Sequence, residues 1–312
     1  MKKIVTLVSL IAQNRTACLA HALSFIFLLG MYYMFRKSHR HVTAHLYRTS
    51  LPTQEQLNST CNSSGEIVND NTAVGKCFTE PIQGLPKSTG VSFNIIYGCA
   101  AFFAITAFAH AFYASDGFGS GAYTRVLQQG WNPYRWVEYG VSASIMAVLI
   151  GFVLNTNTLP NLFSYFFLTA GLQAFGYIVE STIKEQVVNR NTIVGATIGG
   201  WLVFLALWGP LLYQFWSANH DVNKNYKDVI DPSTGKQVAI PSYVWFIIFV
   251  QLLNFGSFGL VQLNQVRHVL KGATPNFLGV ESTYLKLSFA GKLALASGLS
   301  YGLIFRTKDC EE

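Results

Sequence analysis

LSFAGKLALASGLSYGLIF, residues 287–305, contains a single charge, Lys292; the next, Arg306, lies past its far end. Nineteen residues of this composition suit a membrane-crossing helix, which needs about 20 mostly apolar residues. A lone ammonium inside hydrocarbon costs roughly 2.5–3.5 kcal/mol on insertion scales, so such a residue is a functional candidate and needs a partner. One acid stands comparably deep in another apolar stretch, Glu138 in YRWVEYGVSASIMAVLIGFVL. A buried lysine is a potential amine nucleophile able to form a Schiff base. A lysine with one carboxylate inside a helical bundle therefore suggests a protonated Schiff base with its counter-ion. A purely structural Lys–Glu pair holding two helices together is the other reading, and on these two residues both stand open.

Outward from this segment the chain keeps the same character. Of its 312 residues 51% are hydrophobic and 12% charged, against about 25% charged in soluble domains. Seven stretches are long and apolar enough to span a bilayer: 16–35, 91–113, 133–154, 162–180, 193–216, 241–262 and 279–305. None alternates with the period of two that a barrel strand requires. The expected fold is an all-α membrane protein, a seven-transmembrane-helix bundle in one domain. Residues 1–15 precede it, residues 36–90 form a long polar loop, and residues 307–312 form a tail. The opening MKKIVTLVSLIA is read as a short surface helix leading into the first span after Gln13, Asn14 and Arg15.

The net charge of +7 does not point to nucleic acid. The basic residues are scattered at helix ends, where they anchor against headgroups, and no cluster forms a nucleic-acid groove. There is no metal-ligand spacing, no nucleotide loop and no signature of a soluble enzyme, so no catalytic residues are assigned.

Orientation follows from two signals. The 36–90 loop carries the glycosylation sequons of Asn58 and Asn62 and the cysteines Cys61 and Cys77, a disulfide candidate. Both suit an extracellular or lumenal loop. With the N-terminus in the cytoplasm, nine Lys and Arg residues flank the spans inside and five outside, as the positive-inside rule favours. The run Arg36–Arg40 opposes this assignment. The third sequon, at Asn14, sits at a membrane edge and carries no weight.

In this orientation the third and seventh helices enter from the same side. Glu138 lies six residues past Asn132, and Lys292 six past Lys286, which places them at similar depth. Lys286 is about 120° round the helix from Lys292 and reads as a surface anchor. The third helix opens with Asn132 as cap and Pro133 in its first turn. His21 and His110 fall on the same inner side, where a histidine can take up a released proton. Glu180 ends the fourth helix within reach of Arg135. These four residues, with Glu138, are the proton-transfer candidates.

The residues resemble the heliorhodopsins, retinal proteins of inverted topology relative to other microbial rhodopsins. NPYRWVEYGVSASIMAVLI (132–150) carries most of the resemblance, and LSFAGKLAL (287–295) matches the family's Ser-x-x-x-Lys site at Ser288 and Lys292. FGYIVE (175–180), SFGLVQ (257–262) and the two histidines add to it. The resemblance implies a rhodopsin-like bundle with all-trans retinal on Lys292 and Glu138 as counter-ion. It places Tyr139, Ser142, Met146 and Ser288 near the chromophore, a proton-accepting region at His21 and His110, and strands in the long loop. It further implies a homodimer in the lipid bilayer and photosensory signalling to a partner the sequence does not identify. Two positions depart from the family pattern: Gly256 stands where Asn is expected, and Gln173 is polar where polarity is expected nearer Thr169. A light-gated or light-driven proton conductor on the same scaffold is an alternative. A non-retinal membrane protein with a structural Lys–Glu pair is another.

The orientation predicts that Asn58 or Asn62 is modified in a glycosylating host and that an N-terminal tag stays protected from protease in sealed cells. A tag cleaved from outside on an intact chain reverses the topology.

Overall fold

The computed structural model describes residues 5–36, 43–50, 85–156, 158–184, 189–225 and 239–305. The sequons at Asn58 and Asn62, the cysteines Cys61 and Cys77 and the 307–312 tail lie outside them. Helix α1 (Leu7–Arg36) leads to strands β1 (Thr43–Ser50) and β2 (Leu85–Asn94). Helices α2 (Ile95–Ala114), α3 (Ala122–Gln128), α4 (Pro133–Val153), α5 (Leu159–Lys184), α6 (Arg190–Asn225), α7 (Ser242–Leu270) and α8 (Phe277–Phe305) follow. Among the described residues, α1, α2, α4, α5, α6 and α7 are long and apolar enough to cross a membrane. With α8, which carries Lys292, they make the seven long helices expected.

Side-chain bonds fix the helices' relative direction. Ser282 at the start of α8 donates to Gln13 near the start of α1 (2.6 Å), and Asn132 before α4 donates to Glu281 (2.6 Å). Arg190 at the start of α6 reaches the Leu270 carbonyl at the end of α7 (2.7 Å). Thus α1, α4, α6 and α8 start at one face, here the near face, and α5 and α7 end there.

Several boundaries differ from the sequence expectation. No break separates a surface helix from the first span, and α1 runs unbroken from Leu7. Asn14 does not interrupt it because its amide donates back to the Leu10 carbonyl (3.1 Å) and across to the Tyr123 hydroxyl (3.2 Å). Residues 91–94 are strand rather than helix, and Asn94 ends β2 by capping α2, its Oδ1 accepting from Ile96 N (2.9 Å). The two strands pair antiparallel from Thr43↔Asn94 to Ser50↔Leu85 with a bulge between His45 and Tyr47. These are the strands the family resemblance implies in the long loop. Much of the stretch after residue 216, read as loop, continues α6 as far as Asn225.

Short helix α3 is also absent from the sequence reading. It follows a turn with Asp116, Gly117, Phe118, Gly119 and Gly121 at positive φ, and Asp116 Oδ1 holds it by accepting from Thr124 N (2.7 Å). α4 starts as expected: Pro133 occupies the first turn and Asn132 Oδ1 accepts from Arg135 N (3.3 Å).

Phe102, Leu149, Ile150, Leu207, Ile247 and Leu295 are fully buried in the central apolar cluster. Outward, Leu19, Val137, Phe167, Leu202, Leu253 and Tyr213 are each more than 60% exposed. Apolar exposure on this scale is excluded for a soluble monomer and suits lipid contact. The chain is an integral membrane protein.

Close approach of α4 and α5 near Trp136 rests on Gly176. A Cβ at Gly176 would collide with the Trp136 ring. Gly176→Val is therefore expected to lower the thermal unfolding temperature in detergent by several degrees, consistent with overpacking costs of about 1–3 kcal/mol; an unchanged midpoint refutes the contact.

Candidate functional site

The Lys292 ammonium, 2% exposed, points from α8 toward α4. Its Nζ donates to Ser288 Oγ at 2.7 Å and to Glu138 Oε1 at 3.1 Å. Ser288 stands one turn earlier on the same helix, so the i, i+4 spacing supplies that contact. Glu138 Oε1 also accepts from Thr106 Oγ1 of α2 (2.5 Å) and Ser142 Oγ of α4 (2.8 Å). Three donors from three helices converge on one carboxylate oxygen, the arrangement of an acceptor-only, ionised group. Burial of the pair demands such completeness, since an isolated charge there costs several kcal/mol. The exposed Lys286 takes no part.

Beside the pair lies a cavity with about 810 Å³ of atom-free space including its opening. Lys292 and Ser288 form one part of its wall, with Trp136, Tyr139 and Met146 from α4. Trp201 and Phe204 from α6 and Phe258 from α7 complete an aromatic lining, joined by Gln173 from α5. Tyr139 is held by donating to the Tyr284 carbonyl (3.1 Å), and Lys292 Nζ lies 5.2 Å from its ring centroid. Ser142 is not among the lining residues; it serves Glu138 instead. At Gly291 a Cβ would strike the Asn254 side chain, and Gln251 Nε2 donates to the Gly291 carbonyl (2.8 Å). Gln251 of α7 thereby ties the α8 backbone beside Lys292.

Two further polar groups surround the pair. His21 and His110 stack at 5.3 Å with ring planes 9° apart. His110 Nδ1 bonds Asn14 Oδ1 (2.7 Å). His21 is fully buried and packs edge-on against Phe289 (5.2 Å), and neither of its ring nitrogens has a hydrogen-bond partner. Buried nitrogens of this kind mark a place for water.

The second group sits at the near face. Arg135 Nη2 contacts Glu180 Oε1 at 2.6 Å, and Nη1 pairs with Glu281. Trp136 Nε1 (2.7 Å) and Asn132 N (3.0 Å) both donate to Glu180 Oε2. The guanidinium lies 4.3 Å from the Tyr284 ring centroid. Glu180 is only 1% exposed and Glu281 5%. Glu180 therefore pairs with Arg135 as expected, but within a buried cluster rather than at an exposed membrane edge. Glu138 is not the only deep acid, because Arg135 supplies the charge that lets two more carboxylates be buried.

The sequence reading missed Thr106, Asn14 and Glu281. Thr106 looks like any threonine of an apolar helix, and Asn14 was set aside as a chance sequon. Glu281 stood at an uncertain helix start; its position one turn from Asn132 in space had no local signal.

The comparisons join this geometry to a family. The heliorhodopsin family model matches residues 76–303. The chain belongs to the heliorhodopsin family. No curated protein matches it. As a family member it is a rhodopsin-type retinal protein, embedded in lipid as a seven-helix bundle. The cavity fits that chromophore: an apolar, aromatic slot with a primary amine in its wall is what a polyene aldehyde requires.

Arg135→Gln is expected to leave Glu180 and Glu281 buried without compensation, at a cost of about 3–5 kcal/mol. Thermal unfolding in detergent reads this as a large drop in midpoint; a drop no larger than for a surface arginine such as Arg267→Gln refutes the cluster's role.

Proposed function

We propose that this heliorhodopsin is a photosensory receptor that carries all-trans retinal on Lys292 as a protonated Schiff base, with Glu138 as counter-ion. The observation that supports it is the 3.1 Å contact of Glu138 Oε1 with Lys292 Nζ, whose residue stands in the wall of the aromatic cavity. Bound retinal supplies visible absorption and a light-driven double-bond rotation.

The chain's residues do the rest. Lys292 contributes its amine to the linkage with loss of one water, and the linked nitrogen keeps a proton and a positive charge. Glu138 balances that charge in a low-dielectric bundle, since an opposite charge nearby favours the charged form. Thr106 and Ser142 orient its Oε1, and Ser288 offers a second acceptor. Tyr139 and Met146 shape the cavity beside the lysine. With the chromophore bound, loss of the contact to Oε1 would weaken the pair, and Glu138 itself and the His21–His110 pair would be the two groups able to take the proton. His110 donates from Nδ1 to Asn14 Oδ1 and stacks on His21, so the two rings form one accepting region.

The output is signalling. A pump needs an acceptor on one side of the lysine, a donor on the other, and a switch in access. Arg135, Glu180 and Glu281 all gather at the near face, so a released proton is held there and returns. With the N-terminus in the cytoplasm, that face is cytoplasmic, residues 1–15 precede the retinal domain of 16–306, and residues 36–90 and 307–312 face outside. A homodimer and a separate signalling partner complete the reading.

A visible pigment is expected on adding all-trans retinal, lost in Lys292→Ala and kept in Lys286→Ala; the reverse pattern moves the site. Glu138→Gln is expected to shift absorption to the red or to deprotonate the linkage at neutral pH, and an unchanged spectrum removes Glu138 as counter-ion. Under voltage clamp no photocurrent is expected to persist at zero driving force. A sustained current there establishes active transport, and one that reverses with the proton gradient establishes a channel.

A further inference from the structure

Retinal has one oxygen, used up at Lys292, and is hydrocarbon beyond it. The cavity wall is not hydrocarbon throughout. α8 packs on α7, α1 and α2, whereas α5 and α6 pack on each other, so the α5–α6 wall faces Lys292 from across the slot. On that wall stands Gln173, 9% exposed. Its amide makes no hydrogen bond among the described residues, in a setting of Leu172, Met146, Gly200 and Phe204. Thr197 of α6 shares the wall; its hydroxyl donates to the Ile193 carbonyl (2.7 Å) and keeps its acceptor lone pairs. The other amides of the cavity are placed otherwise. Asn254, whose amide likewise makes no hydrogen bond among the described residues, lies against Gly291 beside the lysine rather than across the slot from it, and Gln262 Nε2 donates to the Gly176 carbonyl (3.0 Å). A buried amide with donors and acceptor unmatched is unfavourable unless an occupant completes it.

We propose that the cavity selects a retinal whose ring bears a hydroxyl group, and that Gln173 is the residue that selects it. The inference rests on the retinal reading above. A hydroxyl is donor and acceptor at once: it donates to Gln173 Oε1 or Thr197 Oγ1 and accepts from Gln173 Nε2. Unsubstituted retinal leaves the amide unmatched, and a site with buried polar groups discriminates against the ligand that fails to pair with them. No covalent step is involved beyond the linkage at Lys292.

The test is competition for the full-length apoprotein. Purified protein is incubated to completion with a limiting, equimolar mixture of all-trans retinal and all-trans 3-hydroxyretinal. The bound chromophore is then released with hydroxylamine and the two oximes are quantified by chromatography. One net hydrogen bond corresponds to enrichment of the hydroxylated form by about threefold to tenfold. Gln173→Leu and Gln173→Met each keep an unbranched or similar volume without the amide, and both are expected to bring the ratio to about one; using two variants keeps a folding defect in either from deciding the result. Equal loading of the wild type, preference for unsubstituted retinal, or enrichment that persists in both variants overturns the selection. No pigment with either aldehyde overturns the Lys292 reading along with it, whereas pigment without preference overturns the selection alone.

Discussion

A positive nitrogen held in the middle of an apolar bundle is the constraint on which the rest of this molecule is built. Lys292 can be charged there only because Glu138 is 3.1 Å away, and Glu138 can be charged only because Thr106 and Ser142 also donate to its oxygen. The pair thereby ties α2, α4 and α8 to one another at a single atom. Removing either charge leaves the other stranded, which is worse than having neither. The cavity begins at the lysine of this pair, with aromatic walls on α4, α6 and α7.

The same logic recurs at the near face with the signs exchanged. Arg135 is the buried cation there, and two carboxylates share it. Asn132 belongs to both halves of the arrangement: it caps α4 through Oδ1 and donates to Glu180 and Glu281. One residue at a helix start thus settles where α4 begins and how α5 and α8 meet it.

What was legible in the sequence was what a one-dimensional pattern can carry. Long apolar runs gave the seven helices, the solitary charge gave Lys292, and depth counted from Asn132 and Lys286 matched it with Glu138. Asn132-Pro133 announced the start of α4, which the structure has at Pro133. Partners set by the third dimension were hidden. Thr106 lies 32 residues from Glu138 and Glu281 lies 149 from Asn132, and no local spacing records such pairings. The unbroken α1 was misread because polar Gln13, Asn14 and Arg15 look like a loop until Tyr123 and His110 are seen to receive Asn14. The α3 turn was missed because its positive-φ residues include Asp116 and Phe118, which do not advertise that conformation as glycine does.

Trp136 has a mechanical consequence. Its ring forms part of the cavity wall and lies against Gly176, while its indole N–H rests on Glu180 at 2.7 Å. A tryptophan turns about only two side-chain torsions, so over this span it behaves as a rigid lever. The ring that bounds the slot and the N–H that Glu180 accepts therefore belong to one rigid body, next in sequence to Arg135.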